Sequence, residues 1–155
     1  MERRSLLALL ASTALAGCSS GGLSGDDGGG GSPENGGDGS SPAINDRTLT
    51  DTGECANPET ATVTFESSHV DITGCITGPN GCSTAILGSA TTEGDELRVV
   101  VDTDDAPPPG GGCTQALVQR GYDARISFDG GLPASVTVVH ESARGREVAT
   151  RADRP

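Results

Sequence analysis

The sequence predicts an all-β protein: a single small antiparallel β-sandwich of about six to seven strands, preceded by a disordered tether rich in Gly and Ser. Within residues 44–142, short runs of alternating apolar and polar residues are separated by turn residues about every 8–12 positions. No segment keeps a helical period long enough to cover a sheet. The 155 residues include 24 Gly, 9 Pro, 2 Phe, 1 Tyr and no Trp. This composition allows one small domain and argues against a large, cofactor-filled enzyme core.

Residues 1–17 are predicted to be a signal peptide. The apolar run Ser5–Ala16 is too short to span a bilayer, which takes about 20 apolar residues, but it suits the hydrophobic region of a signal. The pair Arg3-Arg4, just before two leucines, resembles a twin-arginine export signal. Leu15-Ala16-Gly17-Cys18 resembles the lipobox of secreted prokaryotic lipoproteins. The resemblance implies cleavage before Cys18 and attachment of a lipid to its thiol.

The segment 18–43 is predicted to be the lipidated cysteine followed by a disordered linker. Ten Gly, six Ser and two Pro occupy residues 19–43. Such a segment buries too little apolar surface to fold. As a random coil it would span roughly 25–30 Å, which would hold the folded domain away from a lipid surface.

The strands of the domain are predicted from alternation, and the breaks between them from turn residues. Gly78-Pro79-Asn80-Gly81 and Glu93-Gly94-Asp95 provide turns, and a Pro- and Gly-rich loop occupies residues 104–112. Residues 114–120 are compatible with either a strand or one helical turn. The predicted strands are Thr62–Glu66, Val70–Ile76, Ala85–Leu87, Leu97–Asp102, Tyr122–Phe128 and Ser135–Glu141.

The segment from Cys113 through the alternating run Tyr122–Phe128 to Val138 resembles the last hairpin of small immunoglobulin-like domains. It also resembles secreted lipoproteins of halophilic archaea, over about 60 residues from Cys75 to His140. These resemblances imply an immunoglobulin-like arrangement of the sandwich, which we favour over a closed barrel, and an extracellular compartment. They imply no activity.

Four cysteines remain after Cys18 is set aside, an even number that predicts two disulfides in an exported protein. Three pairings are possible, and the chain-entropy model does not choose between them. Closing 82–113 and 55–75 contributes about 3.7 and 3.3 kcal/mol, against about 4.2 and 2.5 for 55–113 and 75–82. The lipoprotein resemblance implies Cys82–Cys113, and hence Cys55–Cys75. A Cys₄ zinc site is disfavoured because the closest pair has six intervening residues, whereas structural zinc sites usually have two to four.

The chain is strongly acidic, with 10 Arg, no Lys and 22 Asp and Glu. Without residues 1–17 it keeps 8 Arg and 21 acidic residues, a net charge of −13. This balance argues against a nucleic-acid binder, which needs a basic face. Together with the export signal it resembles the acidic surface of proteins from extreme halophiles.

Few residues suggest catalysis or metal binding. Asp102, Asp104 and Asp105 are weak candidates for Ca²⁺ ligands, but the loop lacks the glycine and distal glutamate of an EF-hand. His140 follows two valines at a period of two and is interpreted as a strand-end residue, and His69 as a solvated turn residue. No Gly-x-Ser-x-Gly motif marks a nucleophile. We therefore expect no catalytic residues, no cofactor and no metal.

Residues 143–155 are predicted to be a C-terminal tail outside the sandwich, either frayed in solvent or docked on the acidic domain itself, an anionic partner or a lipid headgroup. The tail holds half the mature arginines: Arg144, Arg146, Arg151 and Arg154.

The resulting functional hypothesis is a lipoprotein anchored through Cys18 on the extracellular face of the cell membrane. It would serve as a non-enzymatic binding or cell-envelope interaction module, with an envelope protein or a small ligand as partner. The alternatives are a solute- or metal-binding accessory lipoprotein and, with less support, a small secreted hydrolase.

Overall fold

Eight β-strands follow one another in the computed structural model, which describes residues 41–155. Within this range there is no helix. The strands are β1 (Ala43–Glu54), β2 (Thr60–Phe65), β3 (His69–Gly78), β4 (Thr84–Glu93), β5 (Glu96–Asp104), β6 (Val118–Asp129), β7 (Ser135–Ser142) and β8 (Gly145–Asp153).

The strands form two four-stranded sheets that face each other. The first sheet has the order β1-β6-β3-β2, and the second has the order β4-β5-β7-β8. Neighbouring strands are antiparallel except for β5 and β7, which pair in parallel from Glu96↔Ser135 to Val101↔His140. The prediction of an all-β sandwich is confirmed.

The core lies between the sheets and consists of residues at every second position of the central strands. These side chains face inward because successive residues of a strand point to opposite faces of the sheet. The first sheet contributes Val70, Ile72, Ile76, Tyr122, Ala124, Ile126 and Phe128, and the second contributes Ala85, Ala90, Leu97, Val99, Val101, Val136 and Val138.

Side chains of β1 close one open side of the sandwich. Asp51 Oδ2 accepts a hydrogen bond from the backbone N–H of Ala85 on β4 at 2.8 Å. Arg47 Nη1 donates to the carbonyl oxygen of Ala90 at 3.0 Å. These contacts satisfy backbone groups at the edge of the second sheet, where unpaired groups would otherwise face solvent.

Two disulfides tie loops to the sandwich. Cys55, just after β1, is bonded to Cys75 on β3, and Cys82 in the β3–β4 turn is bonded to Cys113 in the β5–β6 loop. This is the pairing that the lipoprotein resemblance implied. Gly121 of β6 lies beneath the first bridge, since a Cβ atom there would be 3.5 Å from Cys55 Cβ.

The structure differs from the prediction in the number and arrangement of strands. β1 was not predicted as a strand, and the parallel β5–β7 pair makes the second sheet mixed rather than antiparallel. The orders 1-6-3-2 and 4-5-7-8 also differ from immunoglobulin constant domains, whose sheets contain strands A-B-E-D and C-F-G.

The predicted C-terminal tail is an integral strand, which corrects the expectation for residues 143–155. β8 pairs with β7 from Ser142↔Gly145 to Ser135↔Asp153. The alternation was hard to recognise because Ala149 is the residue of β8 that packs against the core, while Val148 is 46% exposed. A register shift in β8 opposite Val138 and Val139 further disturbs the period of two.

The predicted signal peptide (1–17), Cys18 and residues 19–40 of the predicted linker lie outside the described residues. Residues 41–155 include no helix with the length and apolarity that a membrane span requires.

Candidate functional site

The outer side of the first sheet carries a regular array of polar side chains, here called the polar face. It consists of Thr48 and Thr50 on β1, Asp123 and Arg125 on β6, Asp71 and Thr73 on β3, and Thr62 and Thr64 on β2. Strand pairing arranges them in two rows that run across the strands. One row is Thr50, Asp123, Thr73 and Thr62, and the other is Thr48, Arg125, Asp71 and Thr64.

The rows exist because each of these residues alternates with a core residue. On β6, for example, Asp123 and Arg125 alternate with the buried residues Tyr122, Ala124 and Ile126. Neighbouring residues in a row are roughly 4.5–5.5 Å apart between Cβ atoms, as in any antiparallel sheet. Residues two apart along one strand are separated by about 6.5–7 Å.

An ion pair lies in the middle of the polar face. Arg125 Nε donates to Asp71 Oδ1 at 2.8 Å, and Arg125 Nη2 donates to Asp71 Oδ2 at 3.0 Å. The hydrogen bond from Arg125 lowers the pKa of Asp71 below its usual value, so this carboxylate is ionised at neutral pH. Asp71 Oδ2 also lies 3.4 Å from His69 Nε2. The pair orients the guanidinium across two strands.

Several polar groups of the face keep free hydrogen-bonding capacity. Arg125 Nη1, the carboxylate of Asp123 and the hydroxyls of Thr48, Thr50 and Thr73 make no hydrogen bond to another side chain or backbone group within residues 41–155. These groups border an open concavity of about 410 Å³ across β1, β6 and β3. The face therefore offers both donors and acceptors to a molecule lying on it.

A second cluster lies inside the sandwich and joins the two sheets: the chain Tyr122–His140–Glu59. The hydroxyl of Tyr122 on β6 is 2.7 Å from His140 Nε2 on β7. His140 Nδ1 is 3.1 Å from Glu59 Oε2, and Glu59 Oε1 accepts from the backbone N–H of Thr77 at 3.1 Å. Because an ionised carboxylate only accepts, Nδ1 of His140 carries the imidazole proton and donates a hydrogen bond to Glu59 Oε2. Nε2 then accepts from Tyr122.

Burial and these hydrogen bonds determine the protonation states of Tyr122, His140 and Glu59. Burial lowers the pKa of His140 below its ordinary value of 6.5, outweighing the opposing effect of Glu59. Burial raises the pKa of Glu59, but the hydrogen bonds from Thr77 and His140 outweigh it, so the pKa lies below the usual 4.5. Burial also raises the pKa of Tyr122, and the charge of Glu59 adds to this effect. At neutral pH the chain holds a phenol, a neutral imidazole and a carboxylate.

Local backbone features hold the three groups in place. Glu59 has a φ of 58°, the one positive value at a non-glycine position within residues 41–155. Gly74 on β3 lies opposite Tyr122 on β6 and leaves room for the tyrosine side chain. A Cβ atom at position 74 would lie 2.3 Å from the tyrosine hydroxyl oxygen. The site thus depends on a residue without a side chain and on a strained residue before β2.

The order of the groups matches that of a catalytic triad, but the Tyr122–His140–Glu59 chain is closed to solvent. Tyr122 and His140 are each 0% exposed, and the Glu59 side chain is 12% exposed. A substrate has no approach to the phenol or the imidazole in this conformation. The geometry therefore supports a structural role in joining the sheets.

In the structure, each of the three carboxylates proposed as weak metal ligands accepts a hydrogen bond from a neighbouring protein group. Asp102 Oδ1 accepts from the backbone of Thr103, Asp104 Oδ1 from that of Ala106, and Asp105 Oδ1 from Ser83 Oγ at 2.6 Å. In the described part of the chain, no group of three or more His, Cys, Asp or Glu side chains is placed to hold a metal ion.

The histidines occupy positions that the sequence indicated only in part. His69 begins β3 beside Asp71 and is partly buried, whereas the sequence had suggested a solvated turn. His140 continues the inward-facing positions of Val136 and Val138, a phase that was readable from the sequence. Its partner Glu59 lies 81 residues away, and no local signal linked the two.

Comparison with known proteins gave no relative: no protein-family model, no curated protein and no solved structure matches the chain.

Proposed function

We infer that this protein is a lipid-anchored extracellular lipoprotein that acts as a non-enzymatic binding module of the cell envelope, with the polar face as its binding surface. One observation carries the binding role: the concave outer side of the first sheet presents oriented donors and acceptors that no other described residue uses.

The anchor is supported by the sequence Leu15-Ala16-Gly17-Cys18 and by the run of Gly and Ser that follows it. Ala43 begins the first strand 25 positions after Cys18. The tether predicted from the intervening composition would reach about 25–30 Å. A module on such a tether can sample partners near the membrane surface at high effective concentration.

A non-enzymatic role is supported by the burial of the His140–Glu59 pair inside the core. An enzyme of this size would need convergent titratable groups in an open cleft. The hydrolase alternative would require the sandwich to open between β6 and β7. The metal-binding alternative lacks a cluster of ligands within residues 41–155.

The anchor is tested by mass spectrometry of the protein extracted from its own membranes. We expect the loss of residues 1–17 and a lipid adduct on Cys18, and release of a Cys18→Ser variant from the membrane. A full-length, unmodified chain in the membrane fraction would overturn the anchor.

The binding role is tested with the unlipidated Cys18→Ser chain and delipidated cell envelopes of the source organism. We expect saturable retention of this chain. No retention at any salt concentration would overturn the binding role, whatever the state of the anchor.

A further inference from the structure

The chemistry of the polar face indicates the class of its partner. We propose that the polar face binds a neutral, polyhydroxylated chain, that is, a glycan of the cell envelope. This inference rests on the proposed binding role and names the ligand for it. The site is formed by Arg125 and Asp123 at the centre, with Asp71 orienting the arginine and threonines on both sides.

The free groups of Arg125 and Asp123, at the centre of the polar face, can each form a hydrogen bond with a hydroxyl of a sugar ring. Arg125 Nη1 can only donate, and Asp123 can only accept. The two residues lie on one strand and one face, about 6.5–7 Å apart along β6. Each sugar hydroxyl both donates and accepts, so a ring carrying several hydroxyls can satisfy the two groups at once. A ligand with acceptors alone would leave the Asp123 carboxylate without a donor.

The threonines extend the same chemistry along the rows. Thr50 and Thr73 flank Asp123 in one row, and Thr48 lies beside Arg125 in the other. A threonine hydroxyl both donates and accepts, and its methyl group can contact the C–H surface of a sugar ring. The strand spacing of about 4.8 Å is close to the length of one pyranose unit in an extended glycan. A glycan running across the strands would therefore meet two polar side chains of the polar face at each unit.

Charge argues against an anionic or a nucleic-acid ligand. The face holds one arginine against two carboxylates, Asp71 and Asp123, and the arginine is already paired with the first. A phosphate or an acidic glycan would meet the unpaired carboxylate of Asp123 and be repelled.

The apolar residues argue against a protein partner on this face. Protein interfaces are centred on apolar and aromatic side chains. The large hydrophobic side chains exposed within residues 41–155 are Ile86, Leu117 and Val148, and none belongs to the polar face. A polar, uncharged ligand is the class that remains compatible with the surface.

The test uses the Cys18→Ser chain and delipidated envelopes in three portions: untreated, treated with periodate, and treated with protease. Periodate cleaves vicinal diols and so destroys glycans, while protease removes proteins. We expect binding to be abolished by periodate and retained after protease. Binding that survives periodate and disappears after protease overturns the glycan proposal but leaves the binding role intact.

Loss of binding after both treatments would point to a glycan carried on a protein or to a protein partner. Glycans released from the envelopes are then added as competitors. Competition supports the proposal, and its absence overturns it.

Variants locate the site. Asp123→Ala and Arg125→Gln are each expected to weaken binding about tenfold or more, because each removes a charged hydrogen-bonding group from the contact. Arg146→Gln is the matched control, since Arg146 pairs with Glu141 on the exposed surface of the other sheet. Asp123 and Arg125 are exposed, and an exposed ion pair contributes little to folding, so the variants keep their structure. Unchanged binding by Asp123→Ala and Arg125→Gln would overturn the polar face as the site, even if the ligand proves to be a glycan.

Discussion

Replacing Tyr122 by Phe removes a single oxygen atom from the buried Tyr122–His140–Glu59 chain and keeps the aromatic ring. We expect the free energy of unfolding to fall by about 1–3 kcal/mol. The hydroxyl lies 2.7 Å from His140 Nε2, and both side chains are 0% exposed. Without the hydroxyl, Nε2 of His140 is a buried acceptor that no water can reach. The free energy of unfolding of the variant is therefore lower by the full desolvation penalty of that group.

The assay is urea unfolding with both disulfides intact, followed by far-UV circular dichroism. Fluorescence is unsuitable because the chain has one Tyr and no Trp, and the variant removes that tyrosine. With a slope of about 1–3 kcal/mol/M, a loss of 2 kcal/mol shifts the midpoint by roughly 1 M. A loss below about 0.5 kcal/mol at unchanged slope would refute the assignment of this hydrogen bond as buried and unreplaced.

A double-mutant cycle with Glu59→Gln tests whether the three groups act together. The Gln amide nitrogen can donate to Nδ1, which moves the imidazole proton to Nε2 and forces the Tyr122 hydroxyl to accept instead of donate. The effect of Tyr122→Phe should therefore change by about 0.5–3 kcal/mol in the Glu59→Gln background. Additive effects would show that His140 bonds to its two partners independently.

Three further predictions concern Gly74, His140 and the Cys82–Cys113 disulfide. Gly74→Ala should destabilise the protein by about 1–3 kcal/mol in urea unfolding, because the added Cβ would lie 2.3 Å from the tyrosine hydroxyl; Gly112→Ala, with open space around it, is the control, and equal effects would contradict the argument. Stability should decrease as the pH falls below 6.5, because the pKa of His140 is lowered in the folded state and the unfolded chain takes up the proton first; a urea midpoint that is constant across histidine titration would show that this pKa is not lowered. Replacing Cys82 and Cys113 together by Ala should lower the free energy of unfolding by about 3.7 kcal/mol, and an unchanged urea midpoint would exclude a stabilising role for this bridge.

Much of the fold was predictable because the central strands alternate clearly. The runs around Ile72, Val99, Ile126 and Val138 each placed core residues at a period of two, and the structure buries all four. β1 was missed because Ile44 and Leu49 are separated by polar residues and register shifts interrupt its alternation. As an edge strand, β1 has no fully buried side chain, so few of its positions need to be apolar.

Part of the candidate binding surface was accessible from the sequence. Alternation with Tyr122, Ala124 and Ile126 already placed Asp123 and Arg125 on the outer side of a strand. The pairing of Arg125 with Asp71, 54 positions away, was not accessible, because it requires β6 to lie beside β3.

The sequence by itself determined the class of the fold, the number of disulfides expected from an exported chain, and the side of the sheet on which each residue of a regular strand lies. These properties depend on composition and on the two-residue period of a strand, which are local. The tertiary structure decided which strands are neighbours, including the parallel β5–β7 pair, and so which polar residues share a row. It also decided that His140 meets Glu59 and Tyr122 inside the core. The two-residue period of a strand predicts which way a side chain points. It does not predict which residue that side chain contacts, because tertiary contacts join residues far apart in the sequence.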